Sequence, residues 1–218
     1  CKLCHLVSQE ACLKAVKNGR ILGVFLTDKT IVPCQVCAQT KMNAIPAPQK
    51  SIFGTTATTI AQPFEHVASD IKGPIVIRSG KRHAIVPDAV HGYKYFATFV
   101  CEKTSFTVVH GLKKKSDLAA AFKTFLDESK AAGYTVRYLK SDNGGEYTGR
   151  AFKSICADAN IQQLFTVPGT PHQNGKAERP NQTYTRAMRA LLLQSHRDPS
   201  LWYLALLHVV PVYQSTPR

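Results

Sequence analysis

Acidic residues are scarce in this sequence. Its 218 residues hold 14 Asp and Glu against 28 Lys and Arg, a formal net charge of +14 at pH 7 with His neutral. So large an excess favours a polyanionic partner, nucleic acid first, over the bland alternative of a basic surface that only keeps the chain in solution. Long apolar runs are missing as well. No stretch of 18 apolar residues occurs, which excludes a membrane-spanning helix. The opening CKLCHL is not a charged-then-apolar leader, so no secretory signal is expected. Without an initiator Met, and with an abrupt ending at QSTPR, a piece of a longer polypeptide is expected. The composition also lacks the marks of disorder, because 44% of residues are apolar and 19% charged. That length and balance suit one sizeable core with a small appendage, or two small domains. Cysteine is present in an odd number, seven, in a chain too large to need disulfides. This points to a reducing, intracellular compartment and to metal ligation or buried thiols.

Residues 1–45 read as a small unit, with a helical pattern in SQEACLKAVKNG between Ser8 as N-cap and Gly19 as stop, followed by CQVC. A lone CxxC, Cys34 to Cys37, is shared by redox pairs and packed thiols. His5 upstream and the helix between favour zinc, which needs four N or S ligands and lets a unit with little core fold. Residues 46–63, rich in Pro, Ser, Thr and Gly without a period, read as a linker. From Phe64 onward β-rich runs alternate with helical ones. FEHVASDI and GPIVI read as a strand that ends and resumes around Asp70, and YKYFATFV and FTVVHGL as a hairpin across CEKTS. Between them RSGKRHAIVPDAVHG, full of Gly, Pro and cations, reads as a long surface loop. SDLAAAFKTFLDESKAAG predicts a helix from an N-cap at Ser116 to a stop at Gly133, and TVRYLKS a strand that delivers Asp142 at its end. A helix over GRAFKSICADAN, a strand over QQLFTV, and two helices over NGKAERPNQTYTRAMRALLLQS and SLWYLALLHVV complete an α/β pattern with a mixed sheet.

Asp70 stands between apolar neighbours in a strand, Asp142 ends another, and Glu178 begins the long helix. Strand carboxylates are costly to bury without a counter-charge, and a hard divalent cation would provide one. At 100° per residue Glu178, Gln182, Thr185 and Arg189 share one side of the helix, while Ala177, Tyr184, Met188 and Leu191 lie roughly opposite. The acid therefore points away from the expected core face. A lone helical Glu is ordinarily a solvated partner for Lys or Arg.

Spacing and wording together go further. Residues 143–177, thirty-five in all, separate Asp142 from Glu178, and the acids occur in SDIKGP, KSDNGGEY and TPHQNGKAER. This resembles the integrase catalytic core of retroviruses and retrotransposons, most closely the copia type of long-terminal-repeat retrotransposon, from LCHLVSQEACLKAV through CQVCAQTK to the helix ending near Ser195. The resemblance implies an RNase H-like mixed sheet flanked by helices over residues 64–195, preceded by a small helical zinc-binding unit over 1–45 and followed by a helical extension over 196–218. It implies Asp70, Asp142 and Glu178 as catalytic ligands of two Mg²⁺ or Mn²⁺ ions, with Asn143, Gly144 and Gly145 as a flexible turn. Glu146 reads as a structural or turn residue. Pro171, Gln173, Asn174 and Gly175 match a mobile loop, and Lys176, Arg179, Arg186 and Arg189 would meet DNA phosphates. The implied structural Zn²⁺ has His5, Cys34 and Cys37 as clear ligands, with Cys1 or Cys4, or a residue upstream, as the fourth. The implied activity is strand transfer of element DNA into target DNA by a homo-oligomer, expected in the nucleus although no targeting signal is identifiable, with neither a membrane nor a small-molecule substrate.

Two departures from the family pattern stand out. Cys101 and Glu102 occupy positions where acids are common after the second strand. Pro180, two residues after Glu178, fits a helix only in its first turn and otherwise threatens a kink. The competing readings are a catalytically inactive DNA-binding relic, a transposase sharing the acid triad, and a zinc-dependent protein-interaction module.

Overall fold

A computed structural model of the chain describes residues 62–79, 82–166 and 175–215, together with Val16, which is helical, and Asn18, which is in a turn. His5, Cys1, Cys4, Cys34, Cys37 and the loop residues Pro171, Gln173 and Asn174 lie outside the described residues. The chain divides into two compact units, residues 51–182 and residues 1–50 with 183–218.

In the first unit β1 (His66–Lys72) is followed by a hairpin of β2 (Val76–Ser79) and β3 (Arg82–Ile85), then by β4 (Tyr95–Cys101) and β5 (Thr107–Leu112). Helix α1 (Leu118–Ala131) leads to β6 (Tyr138–Ser141), the short α2 (Gly145–Thr148), α3 (Arg150–Asp158) and β7 (Gln162–Phe165). Helix α4 (Gly175–Gln194) begins in this unit and ends in the other, which also holds α5 (Trp202–Ser215).

Five strands form one sheet in the order β5-β4-β1-β6-β7, antiparallel from β5 to β1 and parallel from β1 to β7. The central place of β1 follows from its residues, for Val67, Ala68 and Ser69 are all buried and so cover both faces of the strand. Val67 joins the large core, where Phe99, Phe122, Phe125, Tyr147 and Phe152 gather under α1 and α3. Ala68 faces the other way and packs with Val100 and Ala177 of α4. Stacked rings fill the large core, with Phe99 and Phe125 centroids 4.5 Å apart and Phe122 and Phe152 4.9 Å apart.

The structure corrects several expectations. Residues 78–92 are not all loop, because Val76 to Ser79 pair antiparallel with Ile85 to Arg82. The β-formers Val76, Ile77 and Ile85 favour the hairpin in spite of the Gly and basic residues between them. Strand β1 runs through Asp70 and breaks later, at the Gly73–Pro74 pair. Ser116 does not cap α1 with its side chain. It lies in a 3₁₀ turn (Lys115–Asp117), where Asp117 Oδ2 accepts from the backbone N–H of Lys113 and Lys114 at 3.1 and 2.9 Å. Gly133 does end the helix, in a left-handed conformation at φ +82° that a side chain would strain. Pro180 is the sixth residue of α4, beyond the first turn, and the helix continues through it to Gln194. Thr185, expected on the outward side of α4, is buried, because the buried face extends round the helix through Asn181 and Leu192, its neighbours one and two turns away.

In the second unit α5 buries Trp202, Leu206, Val209 and Val210, and Tyr184 of α4 meets Tyr213 edge-on at 5.5 Å. Asp198 caps the turn before α5 by accepting from the Ser200 N–H at 2.7 Å.

Candidate active site

Alternation and register bring the two strand acids together. Asp70 lies two residues beyond Ala68, so it shares the α4 face of β1. In the parallel ladder Ala68 is level with Lys140. Asp142 directly follows the last residue of β6, so both acids stand at the same end of the sheet.

Glu178 comes from α4, which is seated on the same face at two points. Ala177 packs against Ala68 and Val100, and buried Asn181 donates from Nδ2 to Asp70 Oδ2 at 2.7 Å. One apolar and one polar contact thus bracket Glu178. The consequence is legible in Asp70, whose carboxyl is held above its ordinary pKa by burial first and then by the charges of Asp142 and Glu178, against the Asn181 bond that favours ionisation. Asp70 thus feels the charges of both other acids. Among the described residues, however, no three carboxylates, imidazoles or thiols are close enough to close on one ion. Carboxylate oxygens, two of the three side chains partly buried and Asp142 exposed, are the donors that suit a hard divalent cation, so the residues fit such an ion in kind.

The turn after Asp142 is hydrogen-bonded rather than loose. Asp142 Oδ1 accepts from the Gly144 N–H at 3.1 Å, and Asn143 Nδ2 donates to the Thr166 carbonyl at 3.2 Å. Glu146 bonds Lys115 Nζ at 3.2 Å. A Cβ at Gly144 would lie 3.1 Å from Asp142 Oδ1 and 3.0 Å from Glu146 Cδ, so glycine lets the two carboxylate side chains flank one backbone position. Beneath the turn the buried Tyr147 hydroxyl lies 2.9 Å from Ser69 Oγ. Burial, followed by the charges of Asp70, Asp142 and Glu146, holds this phenol well above its ordinary pKa against the Ser69 bond.

Asn181, Tyr147 with Ser69, and Lys115 are functional neighbours that sequence reasoning missed. Asn181 had a usable signal, a polar residue three positions after Glu178 and so on nearly the same helical face. Of the expected DNA contacts, Lys176 donates to the Glu102 carbonyl at 2.7 Å, near the start of β1, and Arg179 is exposed. Arg186, half-buried, and Arg189, exposed, belong to the second unit. The described cysteines, Cys101 and Cys156, are buried free thiols, and burial pushes Cys156 up to about 11.

A mixed five-stranded sheet of this order flanked by helices is that of an RNase H-like domain. The chain belongs to the Integrase core domain family, which it matches over residues 61–171, just over half its length. It is 34% identical over 175 residues to the Retrovirus-related Pol polyprotein from transposon TNT 1-94 of Nicotiana tabacum, covering 79% of this chain and 12% of that one. Against the corresponding polyprotein from transposon RE1 of Arabidopsis thaliana it is 28% identical over 203 residues, 92% of this chain and 12% of the relative. The chain thus spans about an eighth of these relatives. Among solved structures it resembles the simian T-cell lymphotropic virus intasome in complex with PP2A regulatory subunit B56 gamma, with TM-score 0.50 and 17% identity over 66% of this chain and 47% of that one. The fold is RNase H-like.

Proposed function

We propose that the chain is the catalytic part of a copia-type retrotransposon integrase, a polynucleotidyl transferase joining element DNA to target DNA. The observation that supports it most is the electrostatic convergence of Asp70, Asp142 and Glu178 at one end of the sheet. In the reaction a 3′ hydroxyl of the element attacks a target phosphodiester. The new oxygen–phosphorus bond forms as the bond to the target's own 3′ oxygen breaks, the attacking hydroxyl giving up a proton and the departing oxygen gaining one. Asp70, Asp142 and Glu178 would hold two Mg²⁺ or Mn²⁺ ions, which when bound activate the hydroxyl and stabilise the leaving oxygen. The protein's own share is positioning. Asn181 fixes Asp70 against the helix of Glu178, Gly144 and Asn143 fix Asp142, and Tyr147, kept neutral, underlies them.

Asp142→Asn is expected to abolish joining of labelled donor DNA in Mg²⁺ or Mn²⁺ while far-ultraviolet circular dichroism and melting temperature stay at wild-type values. Undiminished joining by that variant refutes the assignment. A DNA-binding relic without activity is the second reading, favoured by Pro180 in the second turn of α4. Wild-type chain that binds DNA but neither nicks nor joins it would select that reading. A structural Zn²⁺ at His5, Cys34 and Cys37 with one further ligand, a homo-oligomeric state, and action in the nucleus complete the proposal.

A further inference from the structure

Cations gather at the end of the sheet where Asp70 and Asp142 lie, on the side away from β6 and β7. The strand directions dictate this. Strands β1 and β5 both end there and β4 begins there, with Lys72 closing β1, Lys94 preceding β4 and Lys113 with Lys114 following β5. The backbone ties these ends together, as the Lys94 N–H donates to the Leu112 carbonyl at 2.9 Å and the Ile75 N–H to the Lys94 carbonyl at 2.9 Å. All four lysines are exposed, and none takes part in an ion pair among the described residues.

Apart from the acids of the site itself, the carboxylates at this end are already engaged. Asp88 is buried and accepts from the backbone N–H groups of Val90, His91 and Tyr93. Asp117 accepts from two backbone N–H groups, and Glu146 is paired with Lys115. Lys113 and Lys114 are consecutive, and Lys72 and Lys94 lie at the ends of neighbouring strands, so cations stand side by side here. Like charges so arranged repel unless a polyanion lies against them. Three adjacent strand ends at about 4.8 Å spacing cover roughly 10 Å. A DNA strand offers a phosphate about every 3.4 Å along the axis, so that distance spans about three phosphates.

We propose that Lys72, Lys94, Lys113 and Lys114 form a phosphate track that leads a DNA strand from the acid site across β1, β4 and β5. The track rests on the DNA-joining reading above, assigns it a direction across the sheet, and draws on residues apart from those of α4. It positions DNA through its backbone and reads no base.

The test compares two variants of the full chain that lose equal charge. One is Lys72→Gln/Lys94→Gln/Lys113→Gln/Lys114→Gln. The other is Lys123→Gln/Lys130→Gln/Arg137→Gln/Lys153→Gln, whose positions are exposed on α1 and α3 and at the start of β6. Binding of a fluorescent duplex is titrated between 50 and 200 mM salt, with melting temperatures recorded. The pairs Lys72→Gln/Lys94→Gln and Lys113→Gln/Lys114→Gln serve if the fourfold variant fails to fold. The track variant is expected to lose on the order of tenfold in affinity and to show a shallower log–log salt slope, by about 0.9 per lost phosphate contact, with the comparison variant close to wild type. Equal losses in both variants, or none in the track variant, overturn the track. If Asp142→Asn still abolishes joining in that case, the active-site reading stands without it. Wild-type chain with no salt-dependent DNA binding overturns both.

Discussion

At the scale of single residues, the most informative bond joins Asn181 to Asp70. It is charge-assisted, it lies among buried groups, and it ties the strand of one acid to the helix of another. Asn181→Ala frees Asp70 from that constraint and leaves its carboxylate without the one side-chain donor that favours ionisation. A supporting residue of this kind ordinarily changes metal affinity by about 10–100-fold when removed. The midpoint for Mn²⁺, followed by its effect on melting temperature and by its concentration dependence in DNA joining, is expected to rise by that order. An unchanged midpoint in both measurements reduces Asn181 to a packing residue. The acids themselves stand out in the sequence by their spacing and surrounding words. Asn181 carried only its helical position as a signal, because its importance lies in a contact across 111 positions of chain.

At the scale of elements, the connection from β3 to β4 depends on one carboxylate. Asp88 accepts from the Val90 and His91 N–H groups with Oδ1 at 2.9 and 3.0 Å, and from the Tyr93 N–H with Oδ2 at 3.0 Å. Burial alone would raise its pKa, but these bonds, with the His91 ring, outweigh burial and hold it below the ordinary value. A depressed carboxylate stabilises the fold above its unfolded pKa, about 4, and loses that contribution as pH falls through the lower folded value. Asp88→Ala is expected to cost about 1–3 kcal/mol at pH 7, with the gap from wild type narrowing in the acid range below about pH 4. Urea unfolding at pH 7 and at pH 3 checks both the size and the sign. A gap that widens on acidification contradicts the role given to the charge. Read along the chain, this same segment was Gly, Pro and cations and looked like loop. Its hairpin and its buried acid became visible only with cross-strand pairing, which has no local signal in so short a run.

At the scale of the molecule, the first unit stands on one aromatic core beneath the sheet. Phe122 is fully buried and lies within 4.9 to 6.2 Å, ring centre to ring centre, of Phe99, Phe125 and Phe152. Phe122→Ala is expected to cost about 3–5 kcal/mol, enough to remove much of the stability of a domain this size, whereas the exposed Phe106→Ala should cost little. Thermal unfolding of the two variants separates them, and equal losses would mean that the core is not where the structure puts it. The sequence by itself determined the alternation of strands and helices, the basic excess and the three acids, because propensity, charge and motif spacing are written residue by residue. Tertiary structure alone decided that β1 lies between β4 and β6, that Asp70 and Asp142 stand at one end of the sheet, and that five lysine-bearing positions, residues 72, 94 and 113–115, meet at that end. Register and strand order are set by packing between segments far apart in the chain, and no single segment carries that information.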